Sequence, residues 1–245
     1  MDRKHFIRQT ALLAAALAPA GWAKAGDHFS SEQPAEPVTI INAGVNGNNT
    51  KNLLQRLDTD CLAHKPALTI LMVGTNDMNN GKHVPLPQYK TNLEKLAEQI
   101  QGAGSKLLMM TILPFYEPYL LSRHPAEFFQ PEGPSGRRKA VNDTIRSVAA
   151  ARKAYFFDIG MPFEKVGKIG TEEDSLLRNE ANSQKPDGVH PTRNGYRFLA
   201  LAVSQYLICQ NLNAGKIVCL GDSITKGDGS TDKESYPAYL QKLLS

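Results

Sequence analysis

The fold is decided by a stretch near the end of the chain, Ile-Val-Cys-Leu-Gly-Asp-Ser-Ile-Thr at residues 217–225. It begins with four consecutive apolar residues, the pattern of a strand that is covered on both faces. Gly221 then permits a sharp turn, because glycine adopts backbone conformations that other residues resist. Ser223 follows at the expected start of a helix, with its hydroxyl exposed. The stretch therefore predicts a buried strand that delivers a serine to the edge of a sheet, where ligands bind in open α/β folds.

The same strand pattern recurs four times before this stretch, at residues 38–41, 68–73, 107–112 and 155–157. Amphipathic helical patterns, with apolar residues three and four apart, occupy residues 86–101, 137–152, 196–212 and 236–244. Strands that alternate with helices of this length predict a five-stranded parallel sheet between two helical layers, a three-layer α/β/α sandwich. Residues 115–136 are rich in proline, aromatic and charged residues, and we expect a loop or insertion over one end of the sheet.

A polar segment before the third helical pattern supplies a base for Ser223. It reads Asp-Gly-Val-His-Pro at residues 187–191. A serine hydroxyl is a poor nucleophile until a base removes its proton, and His190 is the natural base. Asp187, three residues earlier, can hold the imidazole in the required tautomer and stabilise its charged form. This set of residue types is that of acyl transfer.

Two glycine- and asparagine-rich segments follow the first two predicted strands. The first covers residues 42–50, and the second is Gly-Thr-Asn-Asp at residues 74–77. The backbone N–H groups of Ser223 and Gly47, together with the side-chain amide of Asn76, could form an oxyanion hole. We therefore take these three residues as candidate oxyanion-hole donors.

Competing motifs in the same regions fail on their residues. A phosphate loop at residues 44–49 lacks the lysine of a Walker motif. A calcium loop that starts at residue 228 has Tyr239 at its twelfth position, where a bidentate glutamate is required. Each acyl-transfer motif also occurs by chance in ordinary turns, so their combination is what counts.

Four blocks together resemble the SGNH, or GDSL-type, hydrolases: residues 221–223, the Gly47 segment, residues 74–77 and residues 187–191. The resemblance covers roughly residues 38–245. It implies a flavodoxin-like sheet, Ser223 as nucleophile, His190 as base and Asp187 as its orienting partner. It also implies an oxyanion hole formed by Ser223, Gly47 and Asn76, with Gly44 as the alternative to Gly47, and a structural role for Asp77.

The order of the blocks departs from the family, in which the nucleophile block normally opens the domain. Here that block closes it, which implies a circular permutation. Residues 216–243, placed before residue 38, would restore the usual order, and their strand would lie between the strands at 38–41 and 68–73. Chain termini often lie close together and triads occur in several orders, so the site can survive. The rearrangement puts the nucleophile near a chain end, where fraying is commonest.

Residues 1–25 have the three-part layout of a secretory signal peptide. Basic residues are followed by an apolar run at residues 11–20 and by the small residues Ala23 and Ala25, which predicts cleavage before Gly26. The apolar run is about half the ~20 residues that a membrane span needs, so we expect no stable membrane insertion. We therefore expect residues 26–245 to form a single hydrolase domain, exported to the periplasm or outside the cell, by either the general or the twin-arginine route.

Charge and cysteine content limit the partners. The net charge of +4 and the absence of clustered basic residues give no sign of a nucleic-acid partner. The three cysteines, Cys61, Cys209 and Cys219, leave at least one thiol unpaired within a monomer, and their pairing stays open. No metal-ligand spacing is present, so we expect neither a metal nor a cofactor. Oligomeric state stays open as well.

The expected reaction is hydrolysis of a small-molecule or polysaccharide ester through an acyl-Ser223 intermediate. Short-chain esters are the expected substrates, with O-acetyl groups on carbohydrate as the first choice. A lipase, a thioesterase and an acyltransferase on the same scaffold are alternatives, and the non-enzyme alternative is a carbohydrate-binding dead hydrolase. His124 and the aromatics Phe115, Tyr116, Tyr119, Phe128 and Phe129 either line the acyl or sugar pocket or only pack the long loop.

Overall fold

Five parallel strands form one sheet in the computed structural model, which describes residues 38–213, 215–227 and 234–245. Their bounds are β1 Thr39–Gly44, β2 Leu68–Met72, β3 Lys106–Met110, β4 Tyr155–Phe157 and β5 Lys216–Gly221. The sheet order is β1-β5-β2-β3-β4, with every neighbouring pair parallel. Each predicted strand is present, and the predicted position of the C-terminal strand between the first two strands is confirmed.

Helices connect the strands and cover the sheet. Those longer than one turn are α1 Thr50–Asp60, α2 Leu86–Gly102, α3 Glu117–Leu121, α4 Gly133–Ala151, α5 Gly160–Val166, α7 Arg193–Cys209 and α9 Tyr236–Leu244. The helices α6 Glu180–Ser183 and α8 Ser223–Lys226 have four residues each, and 3₁₀ turns lie at Leu62–His64 and Ala126–Phe129.

Two helical layers enclose the sheet. Helices α7 and α9 pack on each other, while α1, α2 and α4 pack side by side. The three central strands are apolar and buried: every residue of β2 is buried, as is every residue of β3 and β5 after the first, whereas β1 and β4 at the edges are mostly half-buried. This burial explains why the strands lack alternating polar residues. The predicted α/β/α sandwich with a five-stranded parallel sheet is confirmed.

The outer edge of β1 is closed by a side chain of α9. Gln241 accepts a hydrogen bond from the Ile40 amide at 2.8 Å and donates one to the Val38 carbonyl at 2.9 Å. An edge strand otherwise presents unpaired backbone groups. Helix α9 therefore protects the edge strand that lies beside β5.

Several segments differ from the expectation. Helices α1, α5 and α6 were not predicted, and residues 115–136 contain α3, a 3₁₀ turn and the first turn of α4 where a loop was expected. The α1 sequence is polar, and its buried side chains are only Thr50, Leu53 and Leu57. Its start is fixed instead by Asn49, whose side chain accepts hydrogen bonds from the Lys51 and Asn52 amides. The predicted signal peptide at residues 1–25 and its cleavage site lie outside the described residues, so the domain bounds of 26–245 stay a prediction.

Candidate active site

The carboxyl end of β5 presents Ser223 at the first residue of α8. Asp222 caps this short helix by accepting a hydrogen bond from the Ile224 amide at 2.9 Å. The turn is possible because residue 221 is a glycine: a Cβ there would lie 2.6 Å from the Met72 carbonyl oxygen on β2. Strand β5 lies between β1 and β2, so the serine stands at the carboxyl edge of the sheet between these two strands.

His190 bridges Ser223 and Asp187. Its Nε2 lies 2.9 Å from Ser223 Oγ, and its Nδ1 lies 3.0 Å and 2.9 Å from the two carboxylate oxygens of Asp187. A carboxylate can only accept hydrogen bonds, so Nδ1 carries the proton and Nε2 is left to accept the serine hydroxyl. The structure therefore brings the three predicted residues into one hydrogen-bonded chain.

Asp187 is held as a carboxylate. Burial raises its pKa, but hydrogen bonds from the His190 side chain and from the backbone amides of His190 and Val189 outweigh burial and bring the pKa down to about 2. Those amides lie 2.8 Å and 3.0 Å from Oδ1. The negative charge that orients the imidazole is thus present at neutral pH.

The turn that carries Asp187 and His190 is fixed by backbone pairing with the preceding segment. The Arg178 amide donates to the His190 carbonyl at 2.8 Å, and the Gly188 amide donates to the Arg178 carbonyl at 2.8 Å. Arg178 Nε donates to the Pro191 carbonyl at 3.0 Å, next to an isolated bridge between Leu177 and Pro191. Sequence reasoning missed Arg178, because nothing in its local pattern marks this pairing.

Gly47 and Asn76 line one cleft of about 420 Å³ together with Ser223 and His190. Gly47 has a φ of +72°, which favours glycine. Asn76 Nδ2 donates to the Asn48 carbonyl at 2.9 Å and, more weakly, to Asp222 Oδ2 at 3.3 Å. All the predicted oxyanion-hole residues are therefore at this cleft.

Gly44, the alternative to Gly47, is placed differently. Its amide donates to Asn42 Oδ1 at 3.0 Å, and it packs against the backbone of Lys226. It is not among the residues that line the cleft around Ser223. Gly44 therefore joins β1 to α8, and Gly47 is the glycine of the two that lines the cleft as a candidate oxyanion donor.

Arg56 ties together three segments that form the cleft, and sequence reasoning missed it. Its Nη2 donates to the carbonyls of Ala43 at 2.9 Å and Gly221 at 2.8 Å, at the ends of β1 and β5. Its Nε donates to Asn48 Oδ1 at 2.7 Å, next to Gly47, and its Nη1 pairs with Asp60 at 2.8 Å. Only 14% of its side chain is exposed. The guanidinium therefore sets the distance between the serine strand and the Gly47 loop.

Two buried carboxyl groups lie beneath the site. Burial raises the pKa of Asp222 to about 6, although the Ile224 amide and His190 oppose the rise. Burial likewise raises the pKa of Asp77 to about 6, against hydrogen bonds from the Thr50 hydroxyl and amide. Asp77 thereby joins α1 to the loop after β2, in keeping with the structural role expected of it.

A second, larger cleft of about 780 Å³ adjoins the first and shares Arg178 and Asp187 with it. Its other lining residues are polar or charged: Glu173, Asp174, Ser175, Asn182, Ser183, Lys185, Thr192, Arg193, Asn194, Arg197 and Glu234. Among the described residues that line either cleft, no aliphatic side chain occurs. Both clefts therefore suit polar groups.

The aromatic residues of the long loop pack away from the cleft around Ser223. Phe128 and Phe129 contact each other edge to face, and the Arg137 guanidinium lies over both rings. Tyr116 and Tyr119 also pair, against the turn at Gly188. No aromatic residue of that loop is among the described residues that line this cleft. At this cleft the loop aromatics therefore pack the loop and do not line the pocket.

The three cysteines do not pair with one another. Cys61 and Cys219 are buried, Cys209 is exposed, and all three are free thiols.

Within residues 38–213, 215–227 and 234–245, no helix combines the length and the apolar character needed to traverse a lipid bilayer.

Comparison with known proteins identifies the family. The model of the GDSL-like Lipase/Acylhydrolase family matches residues 11–198, more than half of the 245-residue chain. The chain is 29% identical over 186 residues to the lipoprotein YqeF of Bacillus subtilis, covering 71% of this chain and 75% of that one. It is 30% identical over 91 residues to an acetylxylan esterase of Geobacillus stearothermophilus, covering 34% and 41%.

Solved structures show the same fold. A lipase/acylhydrolase from Enterococcus faecalis superposes with a TM-score of 0.52 at 21% identity, covering 67% of this chain and 72% of that one. The acetyl xylan esterase AlAXEase superposes with a TM-score of 0.54 at 21% identity, covering 67% and 79%. With the matched family model, these findings confirm the resemblance that the four sequence blocks indicated: the chain belongs to the GDSL-like lipase/acylhydrolase family.

Proposed function

We propose that this protein is a serine esterase that hydrolyses short-chain esters, with Ser223 as nucleophile, His190 as general base and Asp187 as its orienting partner. Family membership makes the protein a carboxylic ester hydrolase. The observation that carries the residue roles is the hydrogen-bonded chain from Asp187 through His190 to Ser223, at the carboxyl end of β5. Nucleophile, base and orienting group stand in the order that the chemistry requires.

The reaction then proceeds in two halves. His190 Nε2 takes the Ser223 proton while Oγ attacks the ester carbonyl, and the carbonyl oxygen becomes an oxyanion. The amides of Ser223 and Gly47 stabilise that charge, together with the Asn76 side chain once its weaker 3.3 Å bond to Asp222 is given up. When the intermediate collapses, the ester C–O bond breaks and His190 passes its proton to the departing alcohol. Water repeats the sequence on the acyl-serine, releasing the acid and restoring the hydroxyl.

The lining of the cleft around Ser223 supports a short acyl group. Its described residues are Asn46, Gly47, Asn76, Lys82, Arg178, Asp187, His190, Tyr196, Ser223 and Gly227. Burial of each methylene contributes about 0.8 kcal/mol, but only where apolar groups receive it. A long acyl chain would find little such surface here, so we favour acetyl esters over lipid esters.

The adjoining polar cleft supports a hydrophilic alcohol as the other half of the ester. Its charged and amide side chains suit the hydroxyl groups of a carbohydrate. This cleft adjoins the cleft around Ser223, and the two share Arg178 and Asp187 as lining residues. The acetylxylan esterase relative supports the same choice. We therefore propose O-acetyl groups on carbohydrate as the substrate class.

We propose further that the protein is exported and that its chain order arose by circular permutation. The layout of residues 1–25 supports export, as does the lipoprotein relative, although the first cysteine here is Cys61 and none adjoins the proposed cleavage site. Permutation is supported by the sheet: counted from β5, the strand order β1-β5-β2-β3-β4 becomes 2-1-3-4-5, the flavodoxin-like order.

Esterase assays on the wild type and on Ser223→Ala test the proposal. We expect turnover of p-nitrophenyl acetate and of acetylated xylo-oligosaccharides, a steep decline toward the octanoate ester, and a loss of at least about 10³-fold in kcat for the variant. Ser147→Ala, which changes an exposed serine on α4, is the matched control, and we expect it to keep wild-type activity. Activity retained by Ser223→Ala would exclude this nucleophile, and a preference for octanoate would exclude the short-chain assignment.

A further inference from the structure

The side chain of Lys82 ends at the candidate oxyanion hole. Lys82 lies in the loop after β2, and its ammonium group sits so close to Gly47 that a Cβ on that glycine would collide with Nζ. It lines the cleft together with Ser223 and Asn76. A positive charge therefore lies beside a backbone amide that we propose as an oxyanion donor.

The main chain of Lys82 is anchored to the same loop as Gly47. Its carbonyl accepts a hydrogen bond from Asn49 Nδ2 at 2.9 Å, and its amide donates to the Asn79 carbonyl at 3.3 Å. Asn49 in turn caps α1. Since these bonds use backbone atoms of Lys82, a change of its side chain leaves the loop anchored and alters mainly the charge.

The Lys82 ammonium has no carboxylate partner among the described residues. Among the described lysines only Lys90, Lys139 and Lys168 pair with a carboxylate, so the lack of a partner is common, and what distinguishes Lys82 is its place at the cleft around Ser223. Lys82 is exposed, like them, yet its charge is directed at the cleft. An uncompensated cation at this position is available to a developing negative charge.

We propose that Lys82 is a further catalytic residue, whose ammonium stabilises the oxyanion alongside the donors of Ser223, Gly47 and Asn76; this inference rests on the proposed esterase function. The negative charge exists in the tetrahedral intermediate and not in the neutral ester, so the attraction lowers the barrier and raises kcat while KM changes little. The site is open to solvent, which screens the charge, so its effect is smaller than the ~10²–10³ of a direct donor. We expect about a tenfold effect on kcat.

Steady-state kinetics on p-nitrophenyl acetate test the inference with Lys82→Met and Lys82→Arg. We expect kcat to fall about tenfold in the methionine variant with KM within about twofold, and to recover to within about threefold of wild type in the arginine variant. Raising the salt from about 0.05 M to about 0.5 M should lower kcat of the wild type and leave that of Lys82→Met unchanged. Lys90→Met removes the same charge outside both clefts and serves as the control.

A second probe separates this inference from the proposed function. Diethyl p-nitrophenyl phosphate phosphorylates an activated serine, places a phosphoryl oxygen in the oxyanion hole and releases p-nitrophenol, so labelling of Ser223 can be followed without turnover. We expect slower labelling of Lys82→Met than of wild type and Lys90→Met. Equal labelling rates, an unchanged kcat, or a rise in KM alone would overturn the role of Lys82 while leaving the esterase intact. A wild type that is neither labelled nor active would overturn both.

Discussion

Replacement of Arg56 tests whether the cleft depends on a single guanidinium. Arg56 donates four hydrogen bonds of 2.7–2.9 Å, to the carbonyls of Ala43 and Gly221 and to the side chains of Asn48 and Asp60. Hydrogen bonds to a charged group contribute about 1.5–3 kcal/mol each to stability. The loss is smaller where water can replace the removed guanidinium as a donor to the same acceptors. The Gly221 carbonyl also keeps the Val45 amide as a donor at 3.2 Å. We therefore expect Arg56→Met to lower the free energy of unfolding by about 2–4 kcal/mol.

Arg56→Lys separates charge from geometry. A lysine ammonium keeps the positive charge but cannot reach four acceptors in the planar arrangement that a guanidinium provides. The end of β5 and the Gly47 loop then lose their common anchor, and misplacement by about 1 Å can cost ~10² in rate. We expect kcat on p-nitrophenyl acetate to fall about 10- to 100-fold in this variant, with KM little changed.

Urea unfolding and steady-state kinetics measure the two effects. Arg152→Lys is the matched control, because Arg152 pairs with Glu98 at 3.1 Å at the surface, where such a pair contributes about 0–1 kcal/mol. If Arg56→Met stays within about 0.5 kcal/mol of wild type, or if Arg56→Lys stays within about twofold in kcat, the guanidinium does not hold the cleft together and the reasoning is wrong.

Two further predictions concern carboxyl groups. Asp187→Asn should lower kcat by about 10²–10⁴, because the carboxylate no longer holds the His190 tautomer or stabilises the charged imidazole. The control variant Asp143→Asn, on α4, should match the wild type. Equal kcat values for the two variants in esterase assays would contradict the role of Asp187. The pKa of Asp77 is raised to about 6 by burial, so the folded state holds this proton more tightly than the unfolded state. As the pH falls from about 7 to about 4, the free energy of unfolding of the wild type should therefore rise by on the order of 2–3 kcal/mol relative to that of Asp77→Asn. If urea unfolding shows the same difference between the two proteins at both pH values, proton uptake by Asp77 is not the cause.

The sequence predicted the sheet because its strands are continuous apolar runs, a signal that needs no tertiary information. Helix α9 was likewise predicted with its observed bounds, 236–244, from its apolar spacing. Helix α1 was not predicted, because its only buried apolar side chains are Leu53 and Leu57 and its start is set by the Asn49 cap rather than by an apolar repeat. Patterns therefore revealed the elements that bury a wide apolar face and missed α1, which does not.

The candidate site divides in a similar way. Asp187 and His190 are three residues apart, so their pairing could be inferred from a short segment. Arg56 lies 165 residues from Gly221, and its role exists only once β1 and β5 are neighbours. Lys82 reaches Gly47 from a different loop, again across a contact that no local spacing encodes. Supporting residues of this kind become visible only when the fold brings their partners together.

The concern that a nucleophile near the chain end would fray is answered by where its strand lies. Ser223 follows β5, which pairs with β1 along six residues and with β2 along five. Opening β5 would break hydrogen bonds on both of its sides and expose a strand that is buried after its first residue. The edge strand next to it is β1, whose outer side is closed by Gln241 of α9. Position in the sheet, rather than distance from the terminus, thus determines how firmly the serine is held.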